Sequence, residues 1–134
     1  MALRCLIVDD NALFQTAARG ILDGSELIVV GTAANAAEAI RRASELSPDV
    51  ALVDIDLGEE SGLAVARKLT ERAGAVPPRI ILISSHPEDD FADLIAESPA
   101  VGFVAKSEFS AAAILALLAD GDDDREDGAQ SESR

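Results

Sequence analysis

The sequence predicts an α/β fold, in which a five-stranded parallel sheet carries helices on both faces. Two observations predict it: short apolar runs recur along the first 119 residues, and stretches with helical spacing separate them. Continuous apolar runs are typical of strands that are buried on both faces. Because right-handed crossovers connect successive strands through helices, such an alternation forms a parallel sheet.

The predicted strands are five apolar runs of four residues each, most of them rich in Val or Ile. They are Cys5–Val8, Leu27–Val30, Val50–Val53, Ile80–Ile83 and Val101–Val104. A doubly wound sheet of this size, of the flavodoxin-like type, commonly has the strand order 2-1-3-4-5 and binds ligands at the carboxyl ends of its strands. We therefore expect that order here.

Apolar residues at helical intervals predict a helix after each strand. They are Leu13, Ala17 and Ile21; Ala36, Ala39, Ile40 and Ala43; Leu63, Ala66 and Leu69; Leu94 and Ile95; and Ile114, Leu117 and Leu118. Ser47-Pro48-Asp49 predicts the end of the second helix, and Gly74 with Pro77-Pro78 predicts the end of the third. Residues 107–110 offer serine N-caps for the last helix.

Composition limits the classes of protein that the chain can belong to. Its 134 residues suit one domain, and its one cysteine and one histidine exclude a disulfide framework and a zinc site of soft ligands. No apolar run approaches the ~18 residues of a membrane helix, and the start does not resemble a signal peptide. We therefore expect a cytoplasmic protein without a membrane partner.

The net charge of −14 disfavours direct binding of nucleic acid, and an aromatic content of 3% leaves few stacking surfaces for bases or flavins.

The acidic residues are concentrated at the end of the chain. Residues 120–134 contain seven acidic and two basic residues, and no Val, Ile, Leu or Phe. Such a segment cannot offset its ordering entropy by burial. We therefore predict a folded domain over 1–119 and a disordered acidic tail over 120–134.

Polar side chains concentrate at the carboxyl ends of four predicted strands. Asp9 and Asp10 follow the first, Asp54 the third, Ser84 the fourth, and Lys106 comes shortly after the fifth. In the order 2-1-3-4-5 these strands are neighbours, so the side chains meet on one ridge. Clustered carboxylates select Mg²⁺ or Ca²⁺. With a lysine and a hydroxyl beside them, they suit phosphoryl transfer to a nucleophilic aspartate, for which Asp54 is the candidate.

This arrangement resembles the receiver domain of bacterial two-component response regulators, including single-domain regulators of the chemotaxis type. The resemblance covers about residues 1–119. The segments that carry it are Leu6–Asp10, Val53–Gly58 with Gly62, Ile80–His86 and Val101–Lys106. Receivers of regulators with a helix-turn-helix output fit the pattern as well.

The resemblance implies that Asp54 accepts a phosphoryl group from a histidine kinase or a phosphotransfer protein. It implies that Asp9, Asp10, Asp54 and the backbone carbonyl of Asp56 hold Mg²⁺. Lys106 and Ser84 would contact the phosphoryl oxygens. The domain would be a signalling phosphoacceptor rather than an enzyme.

The resemblance also implies a switch, in which Ser84 moves inward on phosphorylation and Phe103 rotates into the vacated space. The face made by the fourth helix, fifth strand and fifth helix would then change its protein partner. Asp56 and His86 flank the pocket, at positions that tune the lifetime of the phosphorylated state in the family.

Among the departures from the family pattern, two concern the loops beside the site. The residue after Lys106 is often a cis proline in the family, but here it is Ser107, for which a cis bond would cost ~3 kcal/mol. We therefore expect a trans bond and a different local loop. Gly58 replaces a frequent proline and would loosen the loop after Asp54.

Other classes of protein remain as alternatives. Asp54-x-Asp56 resembles the nucleophile motif of haloacid-dehalogenase-like phosphatases, although it follows the third strand rather than the first. A flavodoxin-like electron carrier and a receiver-like scaffold that is not phosphorylated are further alternatives. The chain could also be a receiver cut from a longer DNA-binding regulator, but the acidic tail favours a complete single-domain regulator that acts by protein contact.

Overall fold

The computed structural model describes residues 2–57, 60–72, 77–86 and 91–119. Its elements, in chain order, are β1 (Leu3–Val8), α1 (Ala12–Leu22), β2 (Leu27–Ala33), α2 (Ala36–Leu46), β3 (Val50–Asp54), β4 (Asp56–Leu57), β5 (Glu60–Ser61), α3 (Gly62–Arg72), β6 (Arg79–Ser84), α4 (Ala92–Glu97), β7 (Gly102–Ala105), a 3₁₀ turn (Lys106–Glu108) and α5 (111–119). The five strands of the main sheet alternate with helices along the described chain, as predicted.

The main sheet has the order β2-β1-β3-β6-β7, and its strand pairs are parallel. Counted among the long strands alone, this order is 2-1-3-4-5, so the predicted fold class is confirmed. The short antiparallel pair of β4 and β5 was not predicted. Strands of two residues are too short to produce a hydrophobic period.

The sheet separates two hydrophobic cores, one on each face. Successive side chains of a strand point to opposite faces, so each buried strand supplies both cores. On β1, Leu6 packs in the core that includes Ala39 of α2, whereas Ile7 packs in the core that includes Ala18 of α1 and Ile114 of α5. This sandwich positions the carboxyl ends of β1, β3, β6 and β7 along one edge.

The apolar spacing in α1 predicted a helix correctly but does not identify its buried face. The side chains of Leu13 and Ile21 are 82% and 47% exposed. The neighbouring row of side chains, Phe14, Ala18 and Leu22, faces the core instead. Ala18 and Leu22 are fully buried and Phe14 is partly buried. Because both stripes repeat every four residues, the sequence alone does not show which of them faces the sheet.

The helix ends follow the local signals where the structure describes them. α2 ends at Leu46, and its C-cap Ser47 adopts the left-handed conformation at φ 48°. At the start of α5, the N–H of Ala113 donates to the hydroxyl of the N-cap Ser110 at 3.0 Å. The bond before Ser107 is trans, as expected, since no cis peptide occurs among the described residues. Gly58, Gly74 and the tail 120–134 lie outside them.

Within the described ranges, no helix has the length and apolar character that crossing a membrane requires.

Candidate functional site

Three carboxylates meet at the carboxyl ends of β1 and β3. These strands pair in parallel register, so Asp9, which follows β1, lies beside Asp54, which ends β3. One carboxylate oxygen from each of Asp9, Asp10 and Asp54 lies within 4.8 Å of the others. Asp9 is fully buried, Asp54 is 5% exposed and Asp10 is exposed. The cluster is therefore open to solvent on the side of Asp10.

Asp9 is fixed by its own loop and by α1. Its Oδ1 accepts a hydrogen bond from the N–H of Asn11 at 2.8 Å, and its carbonyl accepts one from Gln15 Nε2 at 2.5 Å. Its buried Oδ2 receives no well-directed hydrogen bond from the described residues, although the ammonium of Lys106 lies 2.7 Å away. This oxygen has lone pairs available for a further ligand.

Asp54 is held by its neighbours in the loop and by the lysine. Its Oδ1 accepts a hydrogen bond from the N–H of Asp56 at 3.1 Å, and its Oδ2 lies 3.2 Å from Lys106 Nζ. Burial raises the pKa of Asp54 above its ordinary value, and the negative charge of Asp9 raises it further. The N–H of Asp56 and the ammonium of Lys106 oppose this rise.

Lys106 bridges the two buried carboxylates from the start of the 3₁₀ turn. Burial alone would lower the pKa of its ammonium, but Asp9 and Asp54 raise it by more, so the pKa of Lys106 lies above its ordinary value. Lys106 is therefore charged at neutral pH. One ammonium balances one of the three negative charges, and the other two remain.

The donor set fits a hard divalent cation. Three carboxylates offer oxygen ligands within a small volume, and one of these oxygens is buried without a well-directed hydrogen bond among the described residues. Oxygen ligands of this kind suit Mg²⁺ or Ca²⁺ rather than a soft metal. A bound divalent ion would offset the two uncompensated charges.

Ser84 and Phe103 belong to the next two strands of the sheet. Ser84 ends β6, is fully buried, and its Oγ accepts a hydrogen bond from the N–H of His86 at 3.0 Å. Phe103 is partly buried on β7 and packs against the core on the side of α2 and α3. Ser84 therefore lies at the carboxyl end of its strand, whereas Phe103 is in register with Leu82, two residues before Ser84.

Two further candidates flank this edge. The ring of His86 packs edge-to-face against Phe91, with 6.2 Å between the ring centroids. The side chain of Asp56 is exposed and is not part of the carboxylate cluster, but its N–H donates to Asp54.

Sequence reasoning missed three residues that shape the site, namely Phe14, Gln15 and the cap Asn11. Asn11 Oδ1 accepts from the N–H groups of Leu13 and Phe14 at 2.9 and 3.3 Å, which starts α1 directly beside Asp9. The available signal was the position of Asn11: a helix that begins right after the acidic pair places its first turn over the site.

Comparison with known proteins identifies the family of the chain. Residues 5–119 match the model of the response regulator receiver domain. The chain belongs to this family. The predicted resemblance is therefore confirmed, and membership favours a receiver over the phosphatase and electron-carrier alternatives.

Several relatives of this receiver domain are longer proteins. A protein-glutamate methylesterase/protein-glutamine glutaminase from Thermotoga maritima is 34% identical over 78% of the chain, which covers 30% of that protein. Response regulator GacA from Pseudomonas viridiflava is 31% identical over 86% of the chain, which covers 53% of that protein. The chain thus spans about a third to a half of the length of these relatives.

Solved structures of receivers share the fold. A two-component response regulator of the LuxR family from Aurantimonas sp. SI85-9A1 is 30% identical with a TM-score of 0.77, over 90% of this chain and 86% of that one. The response regulator domain of Thermotoga maritima CheB is 26% identical with a TM-score of 0.70, over 100% of this chain and 98% of that one.

Proposed function

We propose that this receiver domain accepts a phosphoryl group on Asp54 from a histidine kinase or a phosphotransfer protein. The observation that supports the proposal best is the position of Lys106 Nζ, 2.7 Å from Asp9 and 3.2 Å from Asp54, beside a cluster of three carboxylates. Structural ion pairs seldom place a third, unbalanced acidic group at the same point, because the like charges repel one another.

In the proposed reaction, a carboxylate oxygen of Asp54 attacks the phosphorus of a phosphohistidine. The new O–P bond forms as the P–N bond breaks, and the imidazole leaves with the electron pair and takes up a proton. The N–H of Asp56 holds Oδ1 of Asp54, so the carboxylate keeps a fixed orientation during the attack. Lys106 pairs with the negative charge on the transferred group.

Asp9, Asp10, Asp54 and the backbone carbonyl of Asp56 are the groups that would hold Mg²⁺. When bound, the ion neutralises charge on the phosphoryl oxygens and so lowers the barrier to their approach. The exposed position of Asp10 leaves that side of the cluster accessible to the ion and to the phosphodonor.

Ser84 and Phe103 are the proposed switch. The Ser84 oxygen accepts the N–H of His86, and none of the described residues accepts its hydroxyl hydrogen, which can therefore donate to a phosphoryl oxygen. That new hydrogen bond would draw the loop after β6 toward Asp54 and open space for Phe103. The face of α4, β7 and α5 would then present a different surface to a downstream protein.

The output of the switch is proposed to be a protein contact made in the cytoplasm. The net charge of −14 opposes direct contact between this domain and nucleic acid. Several relatives are longer than this chain, and a receiver within a larger DNA-binding regulator could pass the same surface change to an attached domain.

The test is phosphorylation by a small donor. Incubation with phosphoramidate and Mg²⁺ should add one phosphoryl group to the protein, measured by intact mass, and the Asp54→Asn variant should remain unlabelled. Unlabelled wild-type protein, or a labelled Asp54→Asn variant, would contradict the proposal.

Asp56→Asn or His86→Ala should change the lifetime of the label, because both side chains flank the pocket. Unchanged lifetimes in both variants would reject their tuning role.

A further inference from the structure

Lys106 has an aromatic neighbour that the proposed reaction does not use. Its Nζ lies over the ring of Phe14, 4.5 Å from the centroid. An ammonium above an aromatic face is attracted by the quadrupole of the ring, and the attraction increases where water is excluded. Phe14 therefore supports the same ammonium that Asp9 and Asp54 attract from another direction.

Phe14 is itself held in place by Phe109. The two rings form an edge-to-face pair, with 5.2 Å between centroids and 83° between planes. Phe109 is only 8% exposed and belongs to the core that α1 and α5 cover. Because edge-to-face geometry is directional and Phe109 is packed in a core, the ring of Phe14 has little freedom to tilt away from the ammonium.

The contacts connect two segments of the chain, the turn that begins at Lys106 and the start of α1. Lys106 and Phe109 belong to the same turn, in which the N–H of Phe109 donates to the carbonyl of Lys106 at 3.3 Å. On the α1 side, Asn11 accepts the N–H of Phe14 at 3.3 Å and donates its own N–H to Asp9 at 2.8 Å. The aromatic pair and the carboxylates thus hold Lys106 in one position relative to α1 and the strand ends.

We infer that Phe14 is a positioning residue for Lys106, and that Phe109 keeps the Phe14 ring in the orientation this requires. The inference rests on the proposed function, in which Lys106 must pair with the transferred group. A lysine ammonium is a compact charge at the end of a flexible chain, so two carboxylates on one side do not determine where it stays. The Phe14 face keeps it beside Asp54 while its ionic partner changes from carboxylate to phosphoryl oxygen.

Fluorination of one ring tests the inference with little change in shape. Phenylalanines with one, two and three ring fluorines are incorporated at position 14. Each added fluorine withdraws electron density from the ring face. The rate of labelling by phosphoramidate in Mg²⁺ should fall stepwise, by about tenfold across the series. The same series at Phe91, whose ring contacts His86 rather than Lys106, is the matched control and should leave the initial rate of labelling, which loss of the label does not affect, unchanged.

A second measurement does not depend on phosphorylation. The chain has lysines at positions 68 and 106 only, so ¹³C-lysine labelling gives two sets of side-chain signals, and Lys106→Arg assigns them. The Hε protons of Lys106 should be shifted upfield by the ring current of Phe14. The Phe14→Leu variant, with its fold verified by circular dichroism, should lose this shift.

The outcomes separate this inference from the proposed function. If wild-type protein is not labelled, the proposed function fails, and the upfield shift still reports whether the aromatic contact exists. If wild-type protein is labelled but the rate is the same across the fluorinated series at position 14, the positioning role is overturned alone. An Hε signal that Phe14→Leu leaves unchanged overturns it as well.

Discussion

Gly62 brings α3 so close to Asp54 that no larger residue fits between them. A Cβ atom at position 62 would lie 1.9 Å from the carbonyl oxygen of Asp54, and the Gly62 N–H donates to Ile55 at 2.7 Å. The contact is to backbone, which cannot swing aside as a side chain can. Gly62 therefore helps to determine where the backbone of the candidate nucleophile lies.

The Gly62→Ala variant should lower the free energy of unfolding by about 3 kcal/mol, because the methyl group forces β3 and α3 apart. Urea titration measures the loss. Gly20→Ala is the matched control, since nothing lies within 4 Å of a Cβ at that helical position, and it should stabilise the protein by about 0.5–1 kcal/mol. Equal stability of Gly62→Ala and wild type would refute the packing argument.

The charged residues of the site were predicted from their joint placement at neighbouring strand ends, whereas the residues that surround them were not predicted. Asp9, Asp54 and Lys106 stand at strand ends, and the strand order alone brings such ends together. The ring of Phe14 reaches Lys106 only because α1 is rotated with that stripe inward. Nothing in the local pattern distinguishes this rotation from the one that would bury Leu13.

The start of α2 shows how a short motif determines where a helix begins. Asn35 Oδ1 accepts the N–H of Glu38 at 2.9 Å, and the Glu38 side chain accepts the N–H of Ala34 at 2.8 Å. The pair resembles a capping box with asparagine at the N-cap, but the Glu38 carboxylate accepts the N–H of Ala34, one residue before the N-cap, rather than that of Asn35. It satisfies backbone donors that would otherwise lack partners at the first turn.

Asn35→Ala should destabilise the protein by about 1 kcal/mol, because the Glu38 N–H loses its acceptor. Thermal or urea unfolding followed by circular dichroism measures the change. Asn35→Asp retains an acceptor at the N-cap and should stay close to wild type. A loss of equal size in Asn35→Asp and Asn35→Ala would show that the cap is not the cause.

Short elements were the least predictable from the sequence. β4 and β5 have two residues each, which is too short for a repeat of hydrophobic side chains. α4 has six residues and no fully buried side chain, and only Leu94 and Ile95 indicated it in the sequence. Leu94 is 52% exposed. A helix as short as α4 gains little from intrinsic propensity, so it depends on tertiary packing, here that of the partly buried Ile95 against the core on the side of α2 and α3.

From the net charge of −14 and the carboxylate cluster we expect cation binding to stabilise the folded state. Sodium ions screen the repulsion generally, whereas Mg²⁺ should also bind the cluster and so favour the folded state. At a concentration one hundred times its Kd, the ion should add about 2.7 kcal/mol. The midpoint of thermal unfolding should therefore rise more in MgCl₂ than in NaCl of equal ionic strength.

Two variants of equal net charge show why the unfolding midpoint rises more in MgCl₂ than in NaCl. Asp10→Asn should remove most of this excess, because the variant lacks one ligand of the cluster. Glu45→Gln, at an exposed position of α2, should retain it. An equal excess in both variants would mean that Mg²⁺ acts through general charge screening alone.

The sequence by itself determined the alternation of strands and helices, the strand order and the residues that gather at one edge of the sheet. The alternation follows from local periodicity and the parallel pairing from the handedness of crossovers, and the strand order is the one that doubly wound sheets of this size commonly have. Only the tertiary structure decided which stripe of α1 faces the sheet, that Gly62 touches the backbone of Asp54, and that Lys106 rests on Phe14. Those contacts join segments far apart in the chain, and they depend on the shapes that pack between them.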